Sequence, residues 1–125
     1  MNILIDSSMW IEFFSGGDKA KAVEKYFKPP HKITLPSIVV YEVYKKIKSV
    51  RGEQMAILLL AQMERLSATL VPIDQPLAIH AADISLQYKF PMADALICSS
   101  AIASDSTIIT LDAHFKDIPR AEVIR

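Results

Sequence analysis

The sequence contains a single cysteine, Cys98, and its three histidines are scattered with no spacing typical of metal ligands. One cysteine excludes an internal disulfide and a cysteine-rich zinc site. Fourteen basic and fourteen acidic side chains give a net charge of zero, which leaves only a local basic stripe as a sign of a nucleic-acid partner. No signal peptide is recognisable, and no apolar run approaches the roughly 20 residues that span a bilayer. We therefore expect a reducing, cytoplasmic location and no membrane partner.

Apolar residues make up 51% of the chain, and short apolar runs alternate along it with helical patterns. Such alternation is typical of a parallel sheet with helices on both faces. We predict one domain over 1–125, a three-layer α/β fold whose central, mostly parallel sheet has four to five strands. The predicted strands are "NILID" (2–6), "KITLP" (32–36), "TLVPI" (69–73), "STIITLD" (106–112) and an edge strand "AEVIR" (121–125).

Two of the predicted strands end in aspartate, at Asp6 and Asp112. Ligands of open α/β sheets lie beyond the carboxyl ends of the strands, so both carboxylates fall at the expected rim. Glu42 and Asp94 lie early in two helices, between apolar or aromatic neighbours. Each acid has an ordinary explanation when taken alone. Asp6 suits a helix cap, and Glu42 suits an ion pair with a lysine of its helix. Asp94 suits the first turn of a helix, and Asp112 suits a tight turn.

Taken together, these acids predict a metal site, because carboxylates in one cleft repel each other unless cations neutralise them. Oxygen ligands without cysteine or clustered histidine suit Mg²⁺ or Mn²⁺ better than zinc. A pair of such ions suits the hydrolysis of a phosphodiester.

The stretches "ILIDSS", "VVYEV", "MADALICSSAIA" and "IITLDAHF" resemble, in this order, the PIN-domain nucleases. The chain resembles most a VapC-type ribonuclease toxin of a type II toxin–antitoxin system. The resemblance implies a site that binds one or two Mg²⁺ or Mn²⁺ ions through a quartet of acids, with supporting hydroxyl groups. The quartet is Asp6, Glu42, Asp94 and Asp112, and the supporting residues are Thr110, Ser7 and Ser8. Leu111 departs from the family, in which many members carry a basic or polar residue.

The resemblance further implies an endoribonuclease that hydrolyses RNA, pairs with a cognate antitoxin protein and forms a homodimer. Two alternatives keep the fold: an RNA-processing nuclease that is not a toxin, and a catalytically weak module that binds RNA or protein. Lys45, Lys46 and Arg51 are candidates for RNA binding, as are Lys89, Lys116 and Arg120 with less support. His114 is interpreted as a surface residue, and Trp10, Phe13 and Phe14 as core or, failing that, a partner surface.

Overall fold

Strands and helices alternate along residues 2–125, which are the part of the chain that the computed structural model describes. The strands are Asn2–Ile5 (β1), Lys32–Pro36 (β2), Ser67–Val71 (β3), Thr107–Thr110 (β4) and Ala121–Val123 (β5). The α-helices are Ser7–Ser15 (α1), Ala20–Glu24 (α2), Ser37–Arg51 (α3), Glu53–Leu66 (α4), Gln75–Tyr88 (α5) and Met92–Ala103 (α6). Short 3₁₀ turns occupy Lys25–Phe27 and Ala113–Phe115.

The five strands form one sheet in the order β3-β2-β1-β4-β5, and every neighbouring pair is parallel. The predicted three-layer α/β fold is therefore confirmed, including the fifth strand at the edge. β1 and β4 are neighbours at the centre, with Ile5 opposite Ile109. The next residue continues this pairing, because the Asp6 N–H donates to the Ile109 carbonyl at 3.1 Å. This register places Asp6 beside the end of β4.

The core lies on both faces of the central strands, as the continuous apolar sequence of β1 predicts. Ile3, Leu4 and Ile5 are all buried. Trp10 is fully buried against Phe27, with the ring centroids 4.9 Å apart, and Phe13 stacks on the same ring at 4.1 Å. The aromatic cluster of α1 is thus mainly core, the first of the two interpretations that the sequence allowed.

β1, β4 and β5 are one to three residues shorter than predicted, and β3 is shifted. β3 covers Ser67–Val71 instead of 69–73, and it ends there because Pro72 has no N–H with which to extend a ladder. Residues 18–28, whose sequence "DKAKAVEKYFK" is typical of one helix, contain only the helix Ala20–Glu24 and the 3₁₀ turn that follows it. A side chain of α1 fixes the residue just before this helix, since the Lys19 N–H donates a hydrogen bond to the Glu12 carboxylate at 2.7 Å.

Candidate metal centre

Asp6 lies between β1 and α1, and its carboxylate has two structural roles. One oxygen, Oδ1, accepts hydrogen bonds from the Ser8 N–H at 2.9 Å and the Met9 N–H at 3.4 Å, which caps α1. It also accepts from the Ser8 hydroxyl at 2.5 Å. The other oxygen, Oδ2, accepts from the Thr110 hydroxyl at 2.5 Å. Asp6 is only 3% exposed, and this burial raises its pKa although the hydrogen bonds from Ser8, Thr110 and Met9 oppose the shift.

The segment after β4 is tied to the segment after β1 by a short chain of hydrogen bonds. The Thr110 hydroxyl, which donates to Asp6, accepts from the Asp112 N–H at 2.9 Å. The Leu111 N–H donates to the Ser8 hydroxyl at 3.2 Å. Thr110 and Ser8 therefore fix the position of the chain on both sides of the candidate site. The backbone of Leu111 takes part in this network, although its side chain departs from the family pattern.

Asp94 lies in the first turn of α6, which begins directly after Pro91. One ligand atom each of Asp94, Asp112 and His114 lies within 4.8 Å of the others. The Asp112 Oδ1 atom accepts from the His114 N–H at 2.9 Å and lies 3.5 Å from its Nδ1 atom. His114 is at the surface, as expected, but its ring also joins the acidic cluster. The signal in the sequence was its position two residues after the last acid.

Glu42 completes the quartet from the second turn of α3. Its Oε1 atom is buried and has no hydrogen-bond partner, so a cation is the partner that would satisfy it. Burial raises the pKa of Glu42, the Ser7 side chain acts in the opposite direction, and the negative charges of Asp6 and Asp94 raise the pKa further. Burial also raises the pKa of Asp94, with the charges of Asp112 and Asp6 adding to the shift and His114 opposing it. The four acids thus lie close enough together for their charges to interact.

The side chains of this cluster fit a divalent metal ion, as the chemistry of their ligand atoms indicates. The carboxylates supply oxygen ligands and His114 a ring nitrogen, and among the four acids the buried Glu42 Oε1 atom has no hydrogen-bond partner. The ordinary interpretation of Glu42 as half of an ion pair with its own helix does not hold. Among residues 2–125, neither Lys45 nor Lys46 lies within ion-pair distance of a carboxylate.

We predict that metal ions stabilise the fold more as the pH rises. In the folded protein without metal, Asp6, Glu42 and Asp94 hold protons to a higher pH than in the unfolded chain. Their contribution to stability is therefore complete at low pH and is lost as the pH rises through the raised pKa values. A metal ion bound to these carboxylates would neutralise their charge in place of the protons. Thermal unfolding with Mn²⁺ and with EDTA, from about pH 5 to about pH 8, measures the difference, which should widen with pH. A difference that does not change with pH would contradict this linkage.

The basic candidates occupy different places around the acids. Lys45 and Lys46 line a groove with Glu42, together with Tyr41 and Ser49. Arg51 lies nine residues beyond Glu42, about 13 Å along α3 and on the opposite side of the helix, and does not line that groove.

Two other lysines, Lys89 and Lys116, line a second groove with His114. Arg120 instead forms an ion pair with Asp105 at 2.8 Å. Tyr41, which lines the first groove beside Glu42, was not among the residues predicted to bind RNA.

The fold and the site together define an α/β protein with an acidic centre at the carboxyl rim of a parallel sheet. The chain belongs to the PIN domain family, whose model matches residues 3–121. The resemblance predicted from the four motifs is therefore confirmed. PIN nucleases depend in general on divalent metal ions, and membership supports a hydrolase that acts on nucleic acid.

Solved structures of toxin–antitoxin proteins are similar to the chain over nearly its whole length. A toxin–antitoxin complex from Klebsiella pneumoniae is 25% identical, with a TM-score of 0.77 over 97% of this chain and 96% of that chain. VapBC2 from Rickettsia felis, bound to a DNA fragment from the promoter, is 18% identical, with a TM-score of 0.78 over 100% of both chains. Mycobacterium tuberculosis VapC20, described as a sarcin–ricin loop cleaving toxin, is 17% identical, with a TM-score of 0.76 over 94% of this chain and 95% of that chain. No match is found among curated proteins.

Proposed function

We propose that this protein is a Mg²⁺- or Mn²⁺-dependent endoribonuclease, with residues 1–125 acting as a single PIN-like domain. The observation that carries the proposal is the buried Glu42 Oε1 atom without a partner, in a cleft where the charges of Asp6 and Asp94 act on it. A cluster of carboxylates that raise each other's pKa is unfavourable in a purely structural site. Cation binding turns the same cluster into a favourable arrangement.

In this proposal, Asp6, Glu42, Asp94 and Asp112 hold one or two ions, and Thr110, Ser7 and Ser8 support them. When bound, such ions lower the pKa of a water and stabilise charge on the phosphate in the transition state. Thr110 and Ser8 contribute by orienting the Asp6 carboxylate through hydrogen bonds at 2.5 Å. No side chain has to act as a nucleophile, because water attacks the phosphorus and the phosphodiester P–O bond breaks.

We further propose that the nuclease is the toxin of a toxin–antitoxin pair. The similar chains include a toxin–antitoxin complex at 25% identity and VapBC proteins over their full length. An acidic cleft is a favourable binding site for a basic side chain of an inhibitor protein, which would compete with the metal ions. Co-purification with an antitoxin protein that blocks cleavage would support this assignment.

A homodimer remains part of the proposal. Large apolar side chains are exposed on several helices, which supports protein partners there. Among them are Ile57 and Leu58 on α4, Ile79 and Leu86 on α5, and Met92 on α6. No helix within residues 2–125 is long and apolar enough to cross a membrane.

Withdrawal of metal ions tests the proposed activity directly. We expect the purified protein to cleave a mixed pool of cellular RNA with Mn²⁺, to lose this activity in excess EDTA, and to regain it when Mn²⁺ is restored. Denaturing gels with end-labelled RNA measure the cleavage. The activity must follow the protein peak through gel filtration, which separates it from a contaminating nuclease. Cleavage that persists in EDTA would contradict a metal-dependent mechanism.

A further inference from the structure

A groove of about 290 Å³ runs along α3 beside the acidic centre. Its lining consists of Tyr41, Glu42, Lys45, Lys46 and Ser49. One wall is therefore an acid of the proposed metal quartet, and the others are an aromatic ring, two lysines and a hydroxyl group. A ligand in this groove would lie directly against the candidate metal centre.

Tyr41 is 57% exposed, so a large part of its ring is accessible to a ligand. The Lys45 Nζ atom lies 5.5 Å from the centroid of its ring and 3.4 Å from its hydroxyl oxygen. Lys45 and Lys46 make no ion pair within residues 2–125, although Glu42 is three and four residues before them. The two ammonium groups thus remain available to an anion.

We propose that this groove is a nucleotide subsite, in which an unpaired RNA base stacks on Tyr41 while Lys45 and Lys46 bind phosphates next to the scissile bond. The inference rests on the proposed nuclease function and deepens it, because it specifies an unpaired nucleotide at a defined place. Aromatic side chains bind single-stranded RNA by stacking on its bases, whereas the bases of a duplex already stack on each other. Lysines that bind phosphate add affinity without reading the sequence.

A second basic groove, of about 520 Å³, also adjoins the acidic cluster. Lys89, His114 and Lys116 line it, and His114 also belongs to the acidic cluster with Asp94 and Asp112. Basic side chains therefore lie beside the acids in two separate grooves. An extended strand that crosses the centre would meet cations before and after the scissile phosphate, with Tyr41 as the stacking surface on the α3 side.

Binding of a fluorescent single-stranded oligoribonucleotide tests the role of Tyr41 apart from cleavage. Asp94→Asn, with Mg²⁺ present, serves as the non-cleaving background. Within it, Tyr41→Leu should weaken binding by about 10-fold, and Tyr41→Trp should restore it. Val50→Ala is the control on the same helix, since Val50 is 66% exposed and does not line the groove. Thermal unfolding verifies that each variant is folded.

The same RNA annealed into a blunt duplex provides the second measurement. Tyr41→Leu should change duplex binding less than single-strand binding, because a paired base cannot reach the ring. If Tyr41→Leu binds the single strand as tightly as Val50→Ala, or if it weakens both forms equally, the subsite is wrong. A different result would contradict the nuclease proposal. In that case the unmodified protein would cleave no RNA with Mn²⁺, whatever the binding measurements show.

Discussion

Replacing Asp94 with asparagine is expected to lower the rate of RNA cleavage by at least about 10³-fold, which exceeds the roughly 10- to 100-fold cost of losing a residue behind the metal ligands. Asp94 is the acid on which the charges of Asp112 and Asp6 both act, and its ligand atom lies within 4.8 Å of those of Asp112 and His114. Asparagine keeps the size of the side chain but removes its charge. The cleavage rate with saturating Mn²⁺ measures the loss.

Asp83→Asn is the matched control for this variant. Asp83 is an exposed aspartate in α5, and the same change there should leave cleavage within about 2-fold of the unmodified protein, since surface substitutions have small effects. Isothermal titration with Mn²⁺ adds a readout that does not depend on RNA. If Asp94→Asn and Asp83→Asn cleave equally well, Asp94 has no part in the activity. Loss of cleavage with unchanged Mn²⁺ binding would assign Asp94 to RNA binding instead of metal binding.

The arrangement of the sheet was predictable because it depends on local signals. "NILI" and "IIT" are apolar runs bounded by polar residues, and each occupies a strand that is covered on both faces. The aspartate after each run marks the carboxyl rim, where the rules for parallel sheets place ligands. Once β1 and β4 are neighbours, Asp6 and Thr110 have to meet. The bounds of β3 were harder to predict. The strand ends before Pro72, which has no N–H to donate to a neighbouring strand, and its start depends on where α4 ends.

The remaining features of the site depend on contacts between residues distant in sequence. Nothing in "VVYEV" shows that Glu42 avoids the two lysines that follow it and leaves Oε1 buried without a partner. The exposure of Tyr41 depends likewise on how α3 packs against its neighbours, not on its own segment. His114 joins the cluster only because a 3₁₀ turn after Asp112 folds the chain back. Hydrogen bonds determine such turns, and the spacing of apolar residues along the sequence does not reveal them.

Asp6 is expected to respond differently to two substitutions, because its carboxylate serves both the fold and the site. Asp6→Ala should lower the free energy of unfolding of the metal-free protein by about 3 kcal/mol, the sum of a lost helix cap and a buried hydroxyl left without an acceptor. The hydroxyl is that of Thr110, which is fully buried and donates to Asp6 Oδ2. Urea unfolding in EDTA measures the change. Both Asp6→Ala and Asp6→Asn should abolish cleavage.

Asp6→Asn should cost about 1 kcal/mol less than Asp6→Ala, because the amide oxygen can still accept from the backbone N–H groups that begin α1. The amide NH₂ group that then faces Thr110 cannot accept its hydroxyl proton, so that part of the cost remains. The asparagine also carries no charge, which removes the unfavourable burial that raises the pKa of Asp6. Asp74→Ala is the control for the cap alone: Asp74 accepts from the Leu77 N–H at 3.0 Å at the start of α5, and its loss should cost about 1 kcal/mol without affecting cleavage. If Asp6→Asn destabilises the protein as much as Asp6→Ala, the retained cap contributes nothing, and the carboxylate itself supports the fold. A folded but inactive Asp6→Asn protein that is more stable than Asp6→Ala would indicate that the negative charge at this position serves metal binding, since the helix cap does not require it.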